Sequence, residues 1–250
     1  MPRLTDEKMD MMAIGGSNFS FRGTRIEHLG ATEYTLVTIA VDETGSVAGF
    51  ADELRNMLVM AVEACKKSPR SDNILVRVMT FSSTHAHGVN EIHGFKTLAE
   101  INTADYPAIV PGGMTPLCDA VFSAIGATNA YGKKLMDDDF GVNGIAFVIT
   151  DGGENASTAT MNMVKDEAKK SITGETLESM ISVLVGINTA GYANELANFQ
   201  KEAGVTQFID AQDATARKLA KLADFVSRSV SSQSQALGTG GPSKTIDPTI

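Results

Sequence analysis

Four short apolar segments constrain the fold of this chain more than any other feature of its sequence. They cover residues 35–41, 74–81, 145–150 and 181–187, and they are rich in valine, isoleucine and other residues that favour β-strands. Three of the four lack the alternation of polar and apolar residues that marks a strand with one solvated face. We therefore predict strands that are buried on both faces of a parallel sheet. A weaker run at residues 206–209 is a candidate fifth strand.

Helical patterns fill the intervals between these strands. Apolar residues recur at helical spacing over residues 50–65 and 116–128, where Pro116 suits a first helical position and Thr115 an N-cap. Three further candidate helices cover residues 155–170, 192–203 and 213–230. Strands that alternate with helices predict a doubly wound, Rossmann-like α/β fold, with a mostly parallel central sheet and helices on both faces.

The remaining segments predict the edge of the sheet and the domain boundaries. The less apolar segment 85–95 is predicted to join the sheet as one antiparallel edge strand. Residues 1–32 show little periodicity and are interpreted as an N-terminal extension with a short strand near residues 18–21. Residues 33–230 are predicted to form the α/β domain. Residues 231–250 are rich in serine, glycine and proline, which predicts a flexible C-terminal tail.

Charge, hydrophobicity and cysteine content indicate which partners and which cellular location to expect. Aspartate and glutamate exceed lysine and arginine by 30 to 21, which gives a formal charge of −9, so we expect no nucleic-acid partner. No apolar run approaches the roughly 18 residues of a membrane span, and the N-terminus is not typical of a secretory signal, so we expect no membrane partner. Because the chain has only two cysteines, Cys65 and Cys118, we expect a soluble cytoplasmic protein without a disulfide framework.

Five oxygen-bearing side chains are predicted to converge at one edge of the sheet. Asp42, Thr44 and Ser46 follow the first buried strand at alternate positions, and Asp151 follows the third. Thr115 begins a helix directly after a glycine-rich loop. Ligands of open α/β sheets bind beyond the carboxyl ends of the strands, where these residues lie. Carboxylates and hydroxyls form an all-oxygen set that suits a hard cation such as Mg²⁺ or Mn²⁺.

This constellation resembles the metal-ion-dependent adhesion site (MIDAS) of the von Willebrand factor A (vWA) domain. The family pattern is Asp-x-Ser-x-Ser, followed by a distant threonine and a distant aspartate. In this chain the pattern reads Asp42-Glu43-Thr44-Gly45-Ser46, then Thr115, then Asp151. Thr44 stands where a serine is usual and keeps the hydroxyl. The phrases at 113–117 and 150–152 are similar to those of bacterial and phage-type members, and the resemblance covers residues 33–230.

The resemblance implies a protein-binding module rather than an enzyme. By that resemblance Thr44 and Ser46 hold the metal directly, and Thr115 does so in the ligand-competent state. Asp42 and Asp151 act largely through water. A partner protein then presents an aspartate or glutamate carboxylate that completes the coordination shell of the cation. Members of this type inside bacteria often work beside ATPases, which makes an ATPase-containing complex the expected setting by analogy.

Three other interpretations remain open. A metal-dependent hydrolase needs a general base near the cation, and the adjacent candidates are Glu43 and Glu154, neither with an evident histidine partner in the sequence. A structural or virion-associated protein would keep the fold with a vestigial metal site. A third possibility is zinc at His85, His87 and His93, since three imidazoles suffice to hold that ion, but histidines in an edge strand are more commonly solvated.

Overall fold

A mixed eight-stranded sheet forms the centre of the protein. The computed structural model describes residues 7–173, 176–241 and 244–248. The strands in these ranges are β1 (Met9–Ala13), β2 (Ser20–Thr24), β3 (Glu33–Asp42), β4 (Ile74–Phe81), β5 (Val89–Thr97), β6 (Gly141–Thr150), β7 (Ser179–Gly186) and β8 (Gln207–Asp210). Their order across the sheet is β1-β2-β5-β4-β3-β6-β7-β8. The five predicted strands correspond to β3, β4, β6, β7 and β8, which pair in parallel.

Helices cover both faces of the sheet, as the α/β pattern predicts. They are α1 (Ala51–Lys66), α2 (Leu117–Asp137), α3 (Met161–Ile172), α4 (Ala193–Ala203) and α5 (Ala216–Thr239). Side chains of α1 and α5 pack in one core layer, and those of α2, α3 and α4 pack in the layer on the opposite face. The doubly wound α/β fold is therefore confirmed. None of the helices in the described part of the chain combines the length and hydrophobicity of a bilayer-spanning segment.

The C-terminal helix is longer than its sequence pattern predicts. We expected it to end near residue 230, but α5 continues to Thr239, and Gly240 ends it in the left-handed conformation at φ 66°. The last turns are anchored because Ser234 and Leu237 are buried and the Arg70 Nε donates to the Ser234 Oγ at 3.2 Å. Several buried positions of α5 carry small polar residues, so the spacing of apolar residues does not reveal that this part of the helix is buried. Residues 242–243 and 249–250 of the predicted tail lie outside the described residues.

The N-terminal segment contributes two strands to the same sheet. Strands β1 and β2 form an antiparallel pair, and β2 lies parallel to β5 through the pair Gly23 and Phe95. Strand β5 is antiparallel to β4, as predicted for segment 85–95, but the β1–β2 pair extends the sheet beyond it. Residues 1–6 of the predicted extension lie outside the described residues. The division of the chain into an extension, a domain and a tail stays a prediction.

Candidate metal site at the carboxyl edge of the sheet

The central strands β3 and β6 bring the two aspartates to one edge. These strands are parallel neighbours, with Val41 opposite Ile149, so they end side by side. Asp42 is the last residue of β3, and Asp151 directly follows β6. Helix α2 starts at the same edge, two residues after Thr115. Strand register therefore explains why side chains more than 100 positions apart in the sequence meet in space.

Hydrogen bonds join four of the five predicted site residues. The Thr44 Oγ1 and the Ser46 Oγ lie 2.9 Å apart, and the Ser46 Oγ donates to the Asp151 Oδ1 at 2.7 Å. The Asp42 Oδ1 accepts from the Thr44 backbone N–H at 2.7 Å, and its Oδ2 accepts from the Thr150 Oγ1 at 2.7 Å. The loops after β3 and β6 are thus tied together through their oxygen-bearing side chains.

Backbone hydrogen bonds hold the third loop beside the other two. The Gly45 N–H donates to the Gly113 carbonyl at 3.2 Å. The Thr115 N–H donates to the Asn155 Oδ1 at 2.7 Å, and the Asn155 N–H returns a bond to the Thr115 carbonyl at 3.1 Å. The Thr115 Oγ1 lies against Gly152, where an added Cβ would be 3.4 Å from it. This hydroxyl makes no hydrogen bond to any described residue, so it is free to serve as a ligand.

Burial makes both carboxylates of the site harder to ionise. It raises the pKa of Asp42 to about 6 and also raises the pKa of Asp151. A nearby divalent cation would counteract this rise in pKa, because it stabilises the charged form of each carboxylate. Ser46 is exposed while Asp42 and Thr44 are buried, so the cluster is open to solvent on one side.

The donor set fits a hard cation that retains water. It contains two carboxylates and three hydroxyls, and Mg²⁺ takes oxygen ligands and keeps several waters. Among the described residues no group of three or more His, Cys, Asp or Glu side chains is placed to hold a metal. The site is therefore not a closed structural metal centre of the cysteine- and histidine-rich kind. The assignment of the five residues to metal binding stays a prediction.

Sequence reasoning missed the residues that hold the loop after β6. The Glu154 carboxylate accepts from the Cys118 N–H at 2.6 Å and from the Ser157 N–H at 2.8 Å. The Asp119 Oδ1 accepts from the Ala159 N–H at 2.6 Å. Both carboxylates bind this loop to the first turn of α2. For Asp119 the only signal in the sequence was its place in a first helical turn, which is common. Glu154 stood out in the sequence only as a candidate general base.

Glu43 has a histidine partner that the sequence did not reveal. Its Oε2 lies 2.9 Å from the His85 Nε2, and its Oε1 accepts from the Val110 N–H at 3.0 Å. The sequence showed no evident histidine partner for either candidate general base, and the structure provides one for Glu43. Both oxygens of the carboxylate nevertheless hold neighbouring loops in place, as those of Glu154 do.

The three histidines of segment 85–95 do not converge on one metal. His85 pairs with Glu43, whereas the ring of His87 lies 5.9 Å from that of Phe19. His93 is only 8% exposed, and its Nε2 lies 3.0 Å from the Tyr106 hydroxyl. The expectation of solvated histidines is wrong for His93, because β2 and β1 lie beyond β5 and the strand is not at the edge.

The buried His93 is expected to make stability depend on pH. Burial lowers its pKa to about 4, below the ordinary value near 6.5. Between these values the unfolded chain binds a proton that the folded chain does not. The free energy of unfolding should therefore fall as the pH drops from about 6.5 to 4, by up to about 1.4 kcal/mol per pH unit. Urea unfolding of wild type and His93→Gln at pH 7, 5.5 and 4.5 checks this. A constant difference between the two proteins across this range would contradict it.

Comparison with known proteins identifies the fold but no family. No protein-family model and no curated protein matches the chain. Among solved structures, the PilB minor pilin from Streptococcus sanguinis aligns with a TM-score of 0.59 and 13% identity, over 88% of this chain and 66% of that one. The vWF domain of the type V pili tip protein Mfa5 from Porphyromonas gingivalis gives 0.50 and 11%, over 87% and 99%. Proximal thread matrix protein 1 from the mussel byssus, with a zinc-occupied MIDAS motif, gives 0.52 and 16%, over 81% and 47%.

These neighbours show a vWA-like fold and correct the expected location. At such identities the likeness concerns the fold alone, and the chain spans only about two thirds of PilB and half of the mussel protein. The prediction of a cytoplasmic protein is overturned, because the pilin and pilus tip protein point to a surface or secreted protein. The cysteines could not decide this. Cys65 and Cys118 are free and buried, and burial raises the pKa of each thiol to about 12, which makes both unreactive in any compartment.

Proposed function

We propose that this chain is a divalent-metal-dependent protein-binding module. In this proposal Asp42, Thr44, Ser46, Thr115 and Asp151 hold Mg²⁺ or Mn²⁺, and the cation receives an aspartate or glutamate carboxylate of a partner protein. The observation that carries the proposal is the hydrogen-bonded oxygen cluster that joins the loops after β3 and β6, with the unpaired Thr115 hydroxyl beside it.

The hydrogen-bonding pattern of the cluster supports a cation site. The Ser46 hydroxyl donates a hydrogen bond to Asp151, and the Thr150 hydroxyl donates one to Asp42. Because the only Ser46 hydroxyl proton points to Asp151, Thr44 is the donor in its 2.9 Å hydrogen bond to Ser46. One lone pair of Ser46 and both lone pairs of Thr44 are therefore available to a cation, while the aspartates hold the hydroxyl donors in position. A bound divalent cation supplies an electrophilic centre for a carboxylate ligand, because three neutral hydroxyls and two aspartates leave room for further oxygen ligands. The zinc in the MIDAS of the mussel protein supports a divalent ion at this fold position.

The surroundings of the cluster favour a protein partner over a reaction. Met114 and Val110 lie in the loop that leads to Thr115, and they are 56% and 71% exposed. Exposed apolar side chains beside a polar centre are typical of protein-binding surfaces. The carboxylates of Glu43 and Glu154 are engaged with backbone N–H groups, so neither is a free general base for a hydrolase.

The neighbours named as pilins and matrix proteins also favour a non-enzyme. The ATPase-containing complex loses its support, since it relied on an intracellular location.

Metal-dependent stability tests the cation site. Mg²⁺ or Mn²⁺ that binds only the folded chain should raise the free energy of unfolding by about 2.7 kcal/mol at a hundredfold excess over Kd. Thr115→Val keeps the shape of the side chain and removes only the hydroxyl, so it should weaken the effect. Thr173→Val, at an exposed position after α3, is the matched control and should respond like wild type. Thermal unfolding in EDTA and in a titration of each metal measures the difference.

Partner capture tests the binding part of the proposal. The immobilised chain should retain a surface protein in Mg²⁺, release it in EDTA, and fail to retain it when Thr115→Val is used. An unfolding temperature that ignores both metals would favour a vestigial site. A clear metal response without any Mg²⁺-dependent capture would instead leave a metal-binding protein and refute the carboxylate-seeking module.

A further inference from the structure

A groove opens between the N-terminal strands and the rest of the sheet. Strand β2 pairs with β5 at Gly23 and Phe95, and the groove is lined by residues of β1, β2 and the first part of β5, among them Arg22. The space between them has a volume of about 1130 Å³. Its walls include the arginines Arg22 and Arg25 together with the aromatic ring of Phe19. This volume slightly exceeds that of ordinary small-molecule pockets.

Arg22 is held in a way that leaves its terminal nitrogens free. The Arg22 Nε donates to the Glu91 Oε1 at 3.0 Å, and the Arg22 backbone N–H donates to the same carboxylate at 3.2 Å. The Arg77 Nε also donates to Glu91, at 2.8 Å. The Arg22 Nη1 and Nη2 make no hydrogen bond to any described residue, and the side chain is 32% exposed. The fork of the guanidinium is therefore fixed in direction and open to a ligand.

Arg25 repeats this arrangement farther along the groove. Its Nε donates to the Asp10 Oδ1 at 2.9 Å, while the Asp10 Oδ2 accepts from the Lys134 Nζ at 2.9 Å. The Arg25 side chain is 42% exposed. Within the described ranges, its Nη1 and Nη2 have no hydrogen-bond partner either.

Each carboxylate in these clusters is shared by two cations. Glu91 neutralises one of Arg22 and Arg77, and Asp10 neutralises one of Arg25 and Lys134, so each cluster carries one excess positive charge. The charged side chains that line the groove are Lys8, Arg22, Arg25 and Arg77 against Glu7, Asp10 and Glu91, which leaves one excess positive charge. A local excess of positive charge in a chain of net charge −9 is a specific feature of this groove.

We propose that the groove binds an acidic peptide segment, whose carboxylates pair with the free forks of Arg22 and Arg25. A guanidinium fork matches a carboxylate in bidentate geometry. Arg22 and Arg25 are three positions apart on extended backbone, which places their Cα atoms roughly 10 Å apart. Two acid groups three positions apart in an extended peptide span a similar length, whereas one small anion does not. The Phe19 ring offers apolar contact to the intervening side chains.

The test is calorimetric titration with a blocked hexapeptide of sequence Ala-Asp-Ala-Ala-Asp-Ala, at low salt and in EDTA. The EDTA excludes carboxylate binding at the candidate metal site, so this test is independent of the proposed function. We expect saturable binding to wild type, a loss of at least about tenfold in Arg22→Gln and in Arg25→Gln, and weakening as salt rises. Arg228→Gln is the matched control, because Arg228 also pairs through Nε with a carboxylate, Asp224, at 2.8 Å and is 43% exposed. Its affinity should stay within about twofold of wild type.

Two comparison ligands decide the nature of the occupant. The same hexapeptide with asparagine in place of aspartate should not bind, and succinate should bind at least tenfold more weakly than the aspartate peptide. The proposal is overturned by an absence of saturable binding to wild type, or by equal binding of the asparagine peptide. It is also overturned if both arginine variants retain full affinity. Succinate binding as tight as that of the peptide would replace the peptide by a free di-acid.

Discussion

Glu91→Gln should lower the free energy of unfolding by about 3–5 kcal/mol, because it leaves a buried guanidinium without its counter-charge. Arg77 is 1% exposed, and burial lowers its pKa, which shows how unfavourable the site is for an uncompensated cation. Its remaining contacts are neutral: the Ser123 carbonyl and hydroxyl, both at 3.2 Å, and the Met79 Sδ at 3.1 Å. Glutamine keeps the size of the side chain and removes only the charge.

Two further variants separate this effect from a general loss of surface charge. Glu100 pairs with the exposed Lys8 at 3.2 Å, so Glu100→Gln should change stability by less than about 1 kcal/mol. Adding Arg77→Met to Glu91→Gln should recover part of the loss, since the buried cation is gone. Urea unfolding curves of the four proteins measure these differences. A change below 1 kcal/mol for Glu91→Gln would show that Arg77 does not depend on this carboxylate.

The central strands could be predicted because each carries its signal within a few adjacent residues. In β4, for example, every residue is buried, so a run of mostly apolar residues marked it. Arg77 interrupts that run without exposing the strand, since Glu91 and Ser123 supply its partners. Strands β1 and β2 have five residues each, and β2 contains Arg22, Gly23 and Thr24. The short strand predicted near residues 18–21 overlaps only the first two residues of β2, because such segments gain their stability from long-range packing.

The sequence also predicts those parts of the candidate site that depend on neighbouring residues, and it does not predict the contacts between distant loops. Asp42, Thr44 and Ser46 stand together at a strand end, and the fold class then predicts that Asp151 lies beside them. The pairing of Glu43 with His85 depends on the path of the loop after β4, which no spacing in the sequence predicts. In a similar way, Asp119 meets Ala159 only because α2 and the loop after β6 cross.

Gly94→Val is expected to destabilise the protein by about 3 kcal/mol and to detach the N-terminal strands, since an added Cβ would overlap the backbone carbonyl of Arg22. Backbone cannot rotate away as a flexible side chain does, so β2 must move off β5. That movement would also break the bond from the Thr24 hydroxyl to the Phe95 carbonyl, at 2.8 Å. Gly30→Val is the matched control, because an added Cβ there meets nothing within 4 Å.

The same variant decides whether the N-terminal strands belong to the folded unit. Strand β2 places Phe21, which is 1% exposed, against the rings of Phe95 and Tyr131. If the β1–β2 pair is integral, Gly94→Val should expose Phe21 and speed hydrogen exchange in Met9–Ala13 as well as lower the unfolding midpoint. If it is a separate extension, exchange should rise in these strands while the midpoint of the remaining domain stays constant. We expect the first result, because the Tyr131 hydroxyl in the long buried helix α2 donates to the Thr24 carbonyl and so couples the strands to the core.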